Sequence, residues 1–265
     1  MSKRLREFER PTDLKTAIDL LSRIEVATSP LVIGPRPEID PYANVEAIVD
    51  LSGLKLDGVS ESDGAIHIGA QTTLQTLIDS PILKNFANGI LPEAARLAAH
   101  LGLRNVATLG GAFMSREGPP EILLALLALN ATIVIQGNEW PLTDSQPSPE
   151  ELLLEVKIDS RRCAAALARV ARSPLDAAIV AAVAVVTHES ARVAVAGAGP
   201  QPICKSITQS PDGASNLQLQ QQLTDAVVVD SNPIPDYRGS AEYRKAMAGV
   251  LAKRALMDAW NRTQK

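Results

Sequence analysis

The chain is poor in aromatic residues and cysteines, and it carries no excess of basic charge. Aromatic residues make up 3% of its 265 residues, so we expect a core of alanine and branched aliphatic side chains. The two cysteines, Cys163 and Cys204, form no CxxC pair, which argues against a metal or iron–sulfur site on this chain. Lysine and arginine total 26 against 30 acidic residues. No basic excess is therefore present to supply the phosphate attraction that drives nucleic-acid binding.

Long apolar runs are also absent from the sequence. The two longest are 122–129 and 177–186, and both are far shorter than the roughly 18 residues that a membrane-spanning helix requires. The first thirteen residues carry charges, and no apolar stretch follows them, which is unlike a signal peptide. These features predict a cytoplasmic protein that binds neither a membrane nor nucleic acid.

What the sequence does contain is a mixture of short strand patterns and helix patterns. Apolar residues at helical spacing predict helices at 10–22, 72–78, 91–100, 119–129 and 240–261. Apolar runs and alternation predict strands at 30–34, 47–51, 65–69, 131–136, 152–158, 164–171 and 191–198. Residues 138–141 are predicted as a turn, and 175–186 fits a helix or a strand. A segment rich in Ser, Pro and Asp at 144–150 marks a boundary, so we expect an α+β protein with two domains.

Few residues indicate chemistry on their own. The three histidines, His67, His100 and His188, are expected at the surface or at a helix cap, and no set of metal ligands is visible. No GxSxG or GxxxxGK[ST] motif occurs, so hydrolase and kinase functions have no support. One candidate remains, Gly110-Gly111 just after Thr108, because paired glycines at a helix start can expose backbone N–H groups to a phosphate. Taken alone, such a pair is more typical of a tight turn.

Five short motifs occur in order along most of the chain. They are Phe8-Glu-Arg-Pro-Thr-Asp-Leu, Val49-Asp-Leu-Ser, Ile68-Gly-Ala-Gln-Thr-Thr-Leu, Arg104-Asn-Val-Ala-Thr-Leu-Gly-Gly and Asp236-Tyr-Arg-Gly-Ser-Ala-Glu-Tyr-Arg. In this order and spacing the chain resembles the FAD-binding medium subunit of the molybdenum hydroxylases. Carbon monoxide dehydrogenase and xanthine dehydrogenase contain typical flavin domains of this family.

The resemblance implies an α+β fold with a two-lobed FAD domain of the vanillyl-alcohol-oxidase (PCMH) type. A small C-terminal α+β domain with a three-stranded sheet and helices would follow it. We place the FAD domain at 1–148, with lobes at about 1–52 and 53–148, and the C-terminal domain at 149–265. The resemblance also implies two partners, a large molybdopterin subunit and a small 2Fe–2S subunit. Electrons would pass from the iron–sulfur clusters to FAD and then to an external acceptor.

Matching the family's motifs implies cofactor contacts on two glycine-containing segments and one acidic residue. The implied residues are Gly34, Arg36, Thr108, Gly110, Gly111 and Glu121, with no catalytic residue and no metal ligand. The first segment departs from the family, because Pro35 and Pro37 have no N–H to donate to a phosphate. The guanidinium of Arg36 would offset part of that loss, since it binds phosphate through two hydrogen bonds.

The second segment departs less from the family pattern. Where the family has an asparagine after the two glycines, this chain has Ala112. Where the family has an aspartate further along, this chain has Glu121. These departures leave two hypotheses open. The chain is an electron-transfer subunit that binds FAD, or it is a family member without FAD that serves as an assembly or interaction module.

Overall fold

The strands of the protein form three separate sheets. A computed structural model describes residues 5–31, 34, 45–114, 119–144, 151–173, 176–208 and 216–264. Within these ranges the sheets have three, five and four strands. No helix in the same ranges is long and apolar enough to cross a bilayer, and no cluster of His, Cys, Asp and Glu side chains there could hold a metal ion.

The N-terminal sheet is small and parallel. Its strands lie in the order β1 (Glu7–Glu9), β3 (Ala47–Val49) and β2 (Thr28–Pro30). Helix α1 (Leu14–Leu21) follows β1 and begins after Asp13, whose carboxylate caps its first turn. This helix and the buried middle strand are confirmed as predicted. Of the strand predicted at 30–34, Pro30 lies in β2, whereas residues 32 and 33 lie outside the described residues.

A five-stranded antiparallel sheet follows. Its order is β4 (Val59–Ser62), β5 (Ala65–Gly69), β8 (Leu153–Asp159), β6 (Thr132–Ile135) and β7 (Asn138–Pro141). The central strand β8 follows the boundary predicted between 148 and 149 and shares its sheet with strands that precede that boundary. The turn predicted at 138–141 is wrong. Gln136 and Gly137 make the turn with positive φ angles, and the next four residues form an edge strand.

Six helices accompany this sheet in the described residues. They are α2 (Leu74–Asp79), α3 (Pro81–Asn85), α4 (Ile90–Ala98), α5 (Leu101–Arg104), α6 (Leu109–Met114) and α7 (Glu121–Ala128). Helix α7 is buried on nearly all sides. It packs against α4 of its own domain and against strands of the next sheet. A helix that is apolar all round needs such a fully enclosed position, and α7 therefore joins the two domains.

The C-terminal domain contains four strands where the resemblance implied three. The antiparallel order is β12 (Ile203–Thr208), β11 (Ser190–Ala196), β10 (Val180–Val186) and β9 (Ala164–Val170). The edge strand β12 pairs with β11 along six residues. The helices are α8 (Asn216–Asp230) and α9 (Ala241–Thr263). The predicted helix at 240–261 is confirmed, and 180–186 is a strand.

Strand β10 contributes to two cores, one on each face of its sheet. Val183 and Val185 belong to the core shared with α7 and the first domain. Ala182 and Ala184 belong to the core covered by α8 and α9. Since successive side chains of a strand point to opposite faces, a strand covered on both sides is apolar throughout. This arrangement explains why the run 177–186 shows no alternation.

The last of the five motifs folds around a buried arginine. Arg244 is 4% exposed, and it donates hydrogen bonds to the Ile179 carbonyl at 2.8 Å and to Asp236 at 2.5 Å. Asp236 also accepts hydrogen bonds from the side chain and the backbone N–H of Arg238. The motif therefore ties the loop before α9 to the start of β10.

The same network makes stability depend on pH in acid. The hydrogen bond from Arg238, assisted by Arg244, holds the pKa of Asp236 well below its ordinary value of 3.8. A carboxylate with a lowered pKa in the folded state stabilises the protein above that ordinary value, and the contribution is lost as the pH falls further. We expect Asp236→Asn to cost about 1 kcal/mol at neutral pH. Urea unfolding across the acid range would show the two proteins converging below pH 3.8, and a constant difference would contradict the network's role.

Candidate functional site

The two glycines of the second segment lie at the start of α6. The side-chain oxygen of Thr108 accepts a hydrogen bond from the Gly111 N–H at 3.0 Å, and its carbonyl accepts one from the Ala112 N–H at 2.8 Å. Thr108 therefore caps the helix, a role for which a side-chain hydroxyl is suited. The segment is both a turn and a helix start.

This segment packs against the residues that precede α2. Three backbone hydrogen bonds join them, from Leu74 N–H to Ala107 O at 2.9 Å, from Leu109 N–H to Thr72 O at 2.8 Å and from Gly110 N–H to Ala70 O at 2.7 Å. A Cβ atom on residue 110 would lie 2.9 Å from the Ala70 carbonyl oxygen, so glycine is needed for the close approach. Two of the five motifs thus pair with each other across the fold.

The pairing limits what the segment can offer to a phosphate. The N–H groups of Leu109, Gly110 and Gly111 are all engaged in hydrogen bonds within the fold. The hydroxyl of Thr108 accepts one of these bonds, and the described part of the chain holds no acceptor for its proton. The hydroxyl proton is therefore the donor that fits a phosphate oxygen here.

A second donor lies just before the segment. Arg104 ends α5, and its Nε atom is closed off from solvent with no hydrogen-bond partner among the described residues. A buried donor without a partner costs about 1–3 kcal/mol, and an anionic oxygen would remove that cost. Arg104 belongs to one of the five motifs, four residues before Thr108, and the sequence alone assigns it no role.

Glu121 lies at the junction of the two domains. Its side chain, in the first turn of α7, is 1% exposed, and its Oε1 atom lies 3.4 Å from the Nε atom of Arg169 on β9. Arg169 also donates a hydrogen bond to the Asp176 carbonyl. The ion pair joins α7 to the C-terminal sheet, and contact of Glu121 with a nucleotide stays a prediction. Nothing in the sequence singled out Arg169, because no local spacing connects it to residue 121.

The first glycine segment is described at one position. Gly34 is half-buried and lies in no helix or strand. Arg36, together with Pro35 and Pro37, lies outside the described residues. The roles of Gly34 and Arg36 in cofactor binding therefore stay predictions.

The histidines and cysteines hold structural positions. The Nδ1 atom of His67 lies 2.8 Å from a glutamate on β8, and His100 caps α5 with its ring nitrogen. His188 is exposed. Burial raises the pKa of the Cys163 thiol to about 11 and also raises that of Cys204. Both thiols are therefore protonated at neutral pH and unsuited to act as nucleophiles.

The fold and the site together define a two-domain α+β protein with a glycine-containing helix start in its first domain. Residues 4–146 match the family described as the FAD binding domain in molybdopterin dehydrogenase. Residues 165–259 match the CO dehydrogenase flavoprotein C-terminal domain. The first match covers more than half of the chain, and the chain belongs to this family. The resemblance and the fold class predicted from the sequence are confirmed, and FAD is the cofactor that the family's description names.

Individual relatives match over nearly their whole length. The chain is 29% identical over 251 residues to the uncharacterized protein YgfM of Escherichia coli K12, with 93% of each chain covered. It is 27% identical over 282 residues to the carbon monoxide dehydrogenase medium chain of Hydrogenophaga pseudoflava, with 97% of each covered. A chain in the solved carbon monoxide dehydrogenase from that organism superposes with a TM-score of 0.82 at 24% identity, over 99% of both chains. This superposition shows that the fold is shared.

Proposed function

We propose that this chain is the FAD-carrying medium subunit of a molybdenum hydroxylase. The observation that carries the proposal is the match of both domains, in the same order, to the FAD-binding and flavoprotein C-terminal families. A large molybdopterin subunit and a small 2Fe–2S subunit would be its partners. Its role would be to take electrons from the iron–sulfur clusters and pass them to an external acceptor.

The chain's own residues would hold the cofactor at two segments. In the second segment, the Thr108 hydroxyl and the Arg104 guanidinium would donate to the pyrophosphate oxygens, and the charge on Arg104 would strengthen its hydrogen bond. Gly110 and Gly111 would let the backbone approach closely. In the first segment, Gly34 would do the same, and Arg36 would supply charge. Bound FAD supplies the redox chemistry, whereas the protein orients and tunes it.

Glu121 would act indirectly, by holding α7 in place. Its ion pair with Arg169 fixes the start of α7 against β9. The junction between the domains is then held in one arrangement. In this role Glu121 positions the fold and needs no direct contact with the nucleotide.

A second candidate function is a flavin-free assembly module. It is favoured by Pro35 and Pro37, which remove two N–H donors from the first phosphate segment. The N–H groups of Leu109, Gly110 and Gly111 also favour it, because hydrogen bonds within the fold already engage them. Under this function the chain would join the same partners without carrying electrons.

Purification of the chain with its partners distinguishes the two proposed functions. The tagged full-length chain is purified from its native cell, and flavin, iron and molybdenum are measured in the same sample. We expect FAD in equal molar amount to the chain, together with iron and molybdenum from the partners. Iron and molybdenum without flavin would establish the assembly module instead. Absence of both metals would contradict the proposed partners.

The role of Thr108 is tested by removing its hydroxyl while keeping its shape. Thr108→Val should weaken FAD binding by about tenfold to a hundredfold, because a hydrogen bond to a charged group contributes roughly 1.5–3 kcal/mol. Thr108→Ser, which keeps the hydroxyl, should restore most of the affinity. The dissociation constant is measured by titrating flavin-stripped protein with FAD.

A matched control for this pair is Thr132→Val in strand β6. Valine suits a strand position, and Thr132 lies outside both glycine segments, so FAD affinity should stay unchanged. Equal affinity in Thr108→Val and the wild type would show that the hydroxyl does not contact the cofactor. Thermal unfolding of every variant separates loss of binding from loss of the α6 cap.

A further inference from the structure

A cleft of about 950 Å³ with polar and apolar walls opens at the junction of the two domains. Its walls come from the end of α3, the start of β9, the turn after β10 and the last turns of α9. Six of its lining residues can bind or report a ligand, namely Asn85, Asn88, Arg162, His188, Trp260 and Arg262. The volume lies within the range of small-molecule sites, which commonly occur between domains.

A strained turn forms the first domain's side of the cleft. Ala87, Asn88 and Gly89 have positive φ angles of 47°, 55° and 70°. Left-handed conformations are unfavourable for residues with a Cβ atom, so the surrounding contacts must hold this turn in place. One such contact is the hydrogen bond from the Ala165 N–H to the Asn88 side-chain oxygen at 3.1 Å. The turn therefore fixes the distance between the two walls.

The charge on the walls favours an anion. Arg162 is exposed, and the described residues supply no acid within ion-pair distance of it. Arg262 donates one hydrogen bond to the Ala165 carbonyl, and its charge acts on Glu93, whose pKa burial raises and Arg262 lowers. The acid on the cleft wall, Glu189, is already paired with Arg161 at 3.5 Å. The guanidinium of Arg162 therefore lines the space without an ion pair among the described residues, and that of Arg262 lies near a half-buried acid, Glu93.

A tryptophan in the cleft can report the binding of a ligand through its fluorescence. Trp260 lines it and is 6% exposed, and the chain contains two tryptophans. The other is Trp140, on the edge strand β7 of the five-stranded sheet. The indole N–H of Trp260 has no acceptor among the described residues. A ligand in the cleft would therefore change the surroundings of one identifiable chromophore.

The cleft is separate from the second cofactor segment and from Glu121. It meets β9 at its first residue, Ala164, whereas the ion pair with Glu121 lies near the other end of that strand, at Arg169. Five residues of extended chain span roughly 17 Å. Among the described residues, none of the predicted cofactor contacts lines the cleft.

We propose that this cleft is a binding site for a small organic anion that carries phosphate or carboxylate oxygens. Arg162 and Arg262 would hold the oxyanion through charge-assisted, two-point hydrogen bonds, the geometry for which arginine is suited. The side chains of Asn85 and Asn88 would form hydrogen bonds with the rest of the ligand. Because both domains contribute to the walls, the bound anion would stabilise their junction. The proposal does not depend on whether the chain carries FAD.

The test uses the full-length chain with Trp140→Phe, in which Trp260 is the single tryptophan. Inorganic phosphate and citrate are titrated separately at low ionic strength, and Trp260 fluorescence and thermal unfolding are recorded. We expect a saturable fluorescence change and a rise in the unfolding temperature with at least one probe. The stronger probe identifies whether phosphate or carboxylate is the preferred group.

Matched arginine variants locate the binding. Arg162→Ala, made in the Trp140→Phe background, should raise the dissociation constant about tenfold or more, since it removes a charge-assisted contact. Arg262→Lys tests the second guanidinium while keeping a charge and a long side chain. Arg254→Ala removes an exposed arginine of α9 about two turns away and should leave the affinity unchanged. No saturable response to either probe overturns the proposal, and so does an equal loss in Arg162→Ala and Arg254→Ala.

Discussion

Replacing Arg169 with methionine should lower the free energy of unfolding by about 3–5 kcal/mol, the cost of breaking a buried ion pair by removing one partner. Glu121 is 1% exposed and Arg169 is 12% exposed, so water reaches neither group well. The variant also removes the donor to the Asp176 carbonyl. Because α7 and β9 belong to different domains, the loss should appear as weaker coupling between them as well as lower stability. Urea unfolding followed by circular dichroism measures both.

A double-mutant cycle isolates the pair itself. Glu121→Gln removes the negative charge with little change of shape, and the double variant should recover part of the stability lost in Arg169→Met. Contacting residues in one network couple by about 0.5–3 kcal/mol, and a coupling near zero would show that the two groups act independently. Arg161→Met serves as the control, because its ion pairs are exposed and such pairs contribute about 0–1 kcal/mol.

The predictable parts of this fold were those where local patterns carry the information. The C-terminal helix, predicted at 240–261 and observed as α9, shows an apolar stripe that one amphipathic helix explains. The motifs at Ile68–Leu74 and Arg104–Gly111 indicated a family, but not that they hydrogen-bond to each other. Their pairing depends on a close approach at Gly110 that becomes visible in three dimensions.

The parts that could not be predicted depend on what packs against them. Residues 180–186 are valine and alanine throughout, and a strand buried on both faces has no alternation to distinguish it from a buried helix. The strand at 138–141 contains proline, which is tolerated because β7 lies at the edge of its sheet. The family's motif alone implies a cofactor contact for Glu121. Its burial against Arg169 follows from the way two distant segments pack.

Gly197→Ala should be among the most destabilising single substitutions in the C-terminal domain, at about 2–5 kcal/mol. Two costs add at this position. The φ angle is +80°, where a residue with a Cβ atom loses about 1–2 kcal/mol. The added Cβ would also lie 2.1 Å from the Ile179 carbonyl oxygen, and relieving such an overlap by backbone shifts costs about 1–3 kcal/mol more.

Two other glycines separate these costs. Gly137 has a φ of +90° with nothing within 4 Å of the added Cβ, so Gly137→Ala should show the conformational cost alone, about 1–2 kcal/mol. Gly199 has an ordinary φ and a nearest contact of 3.5 Å, so Gly199→Ala should be nearly neutral. The loss of unfolding free energy should therefore increase from Gly199→Ala to Gly137→Ala to Gly197→Ala. An equal loss at Gly197 and Gly137 would mean that β10 moves away from the new side chain at no cost, contrary to a sheet packed between α7 and α9.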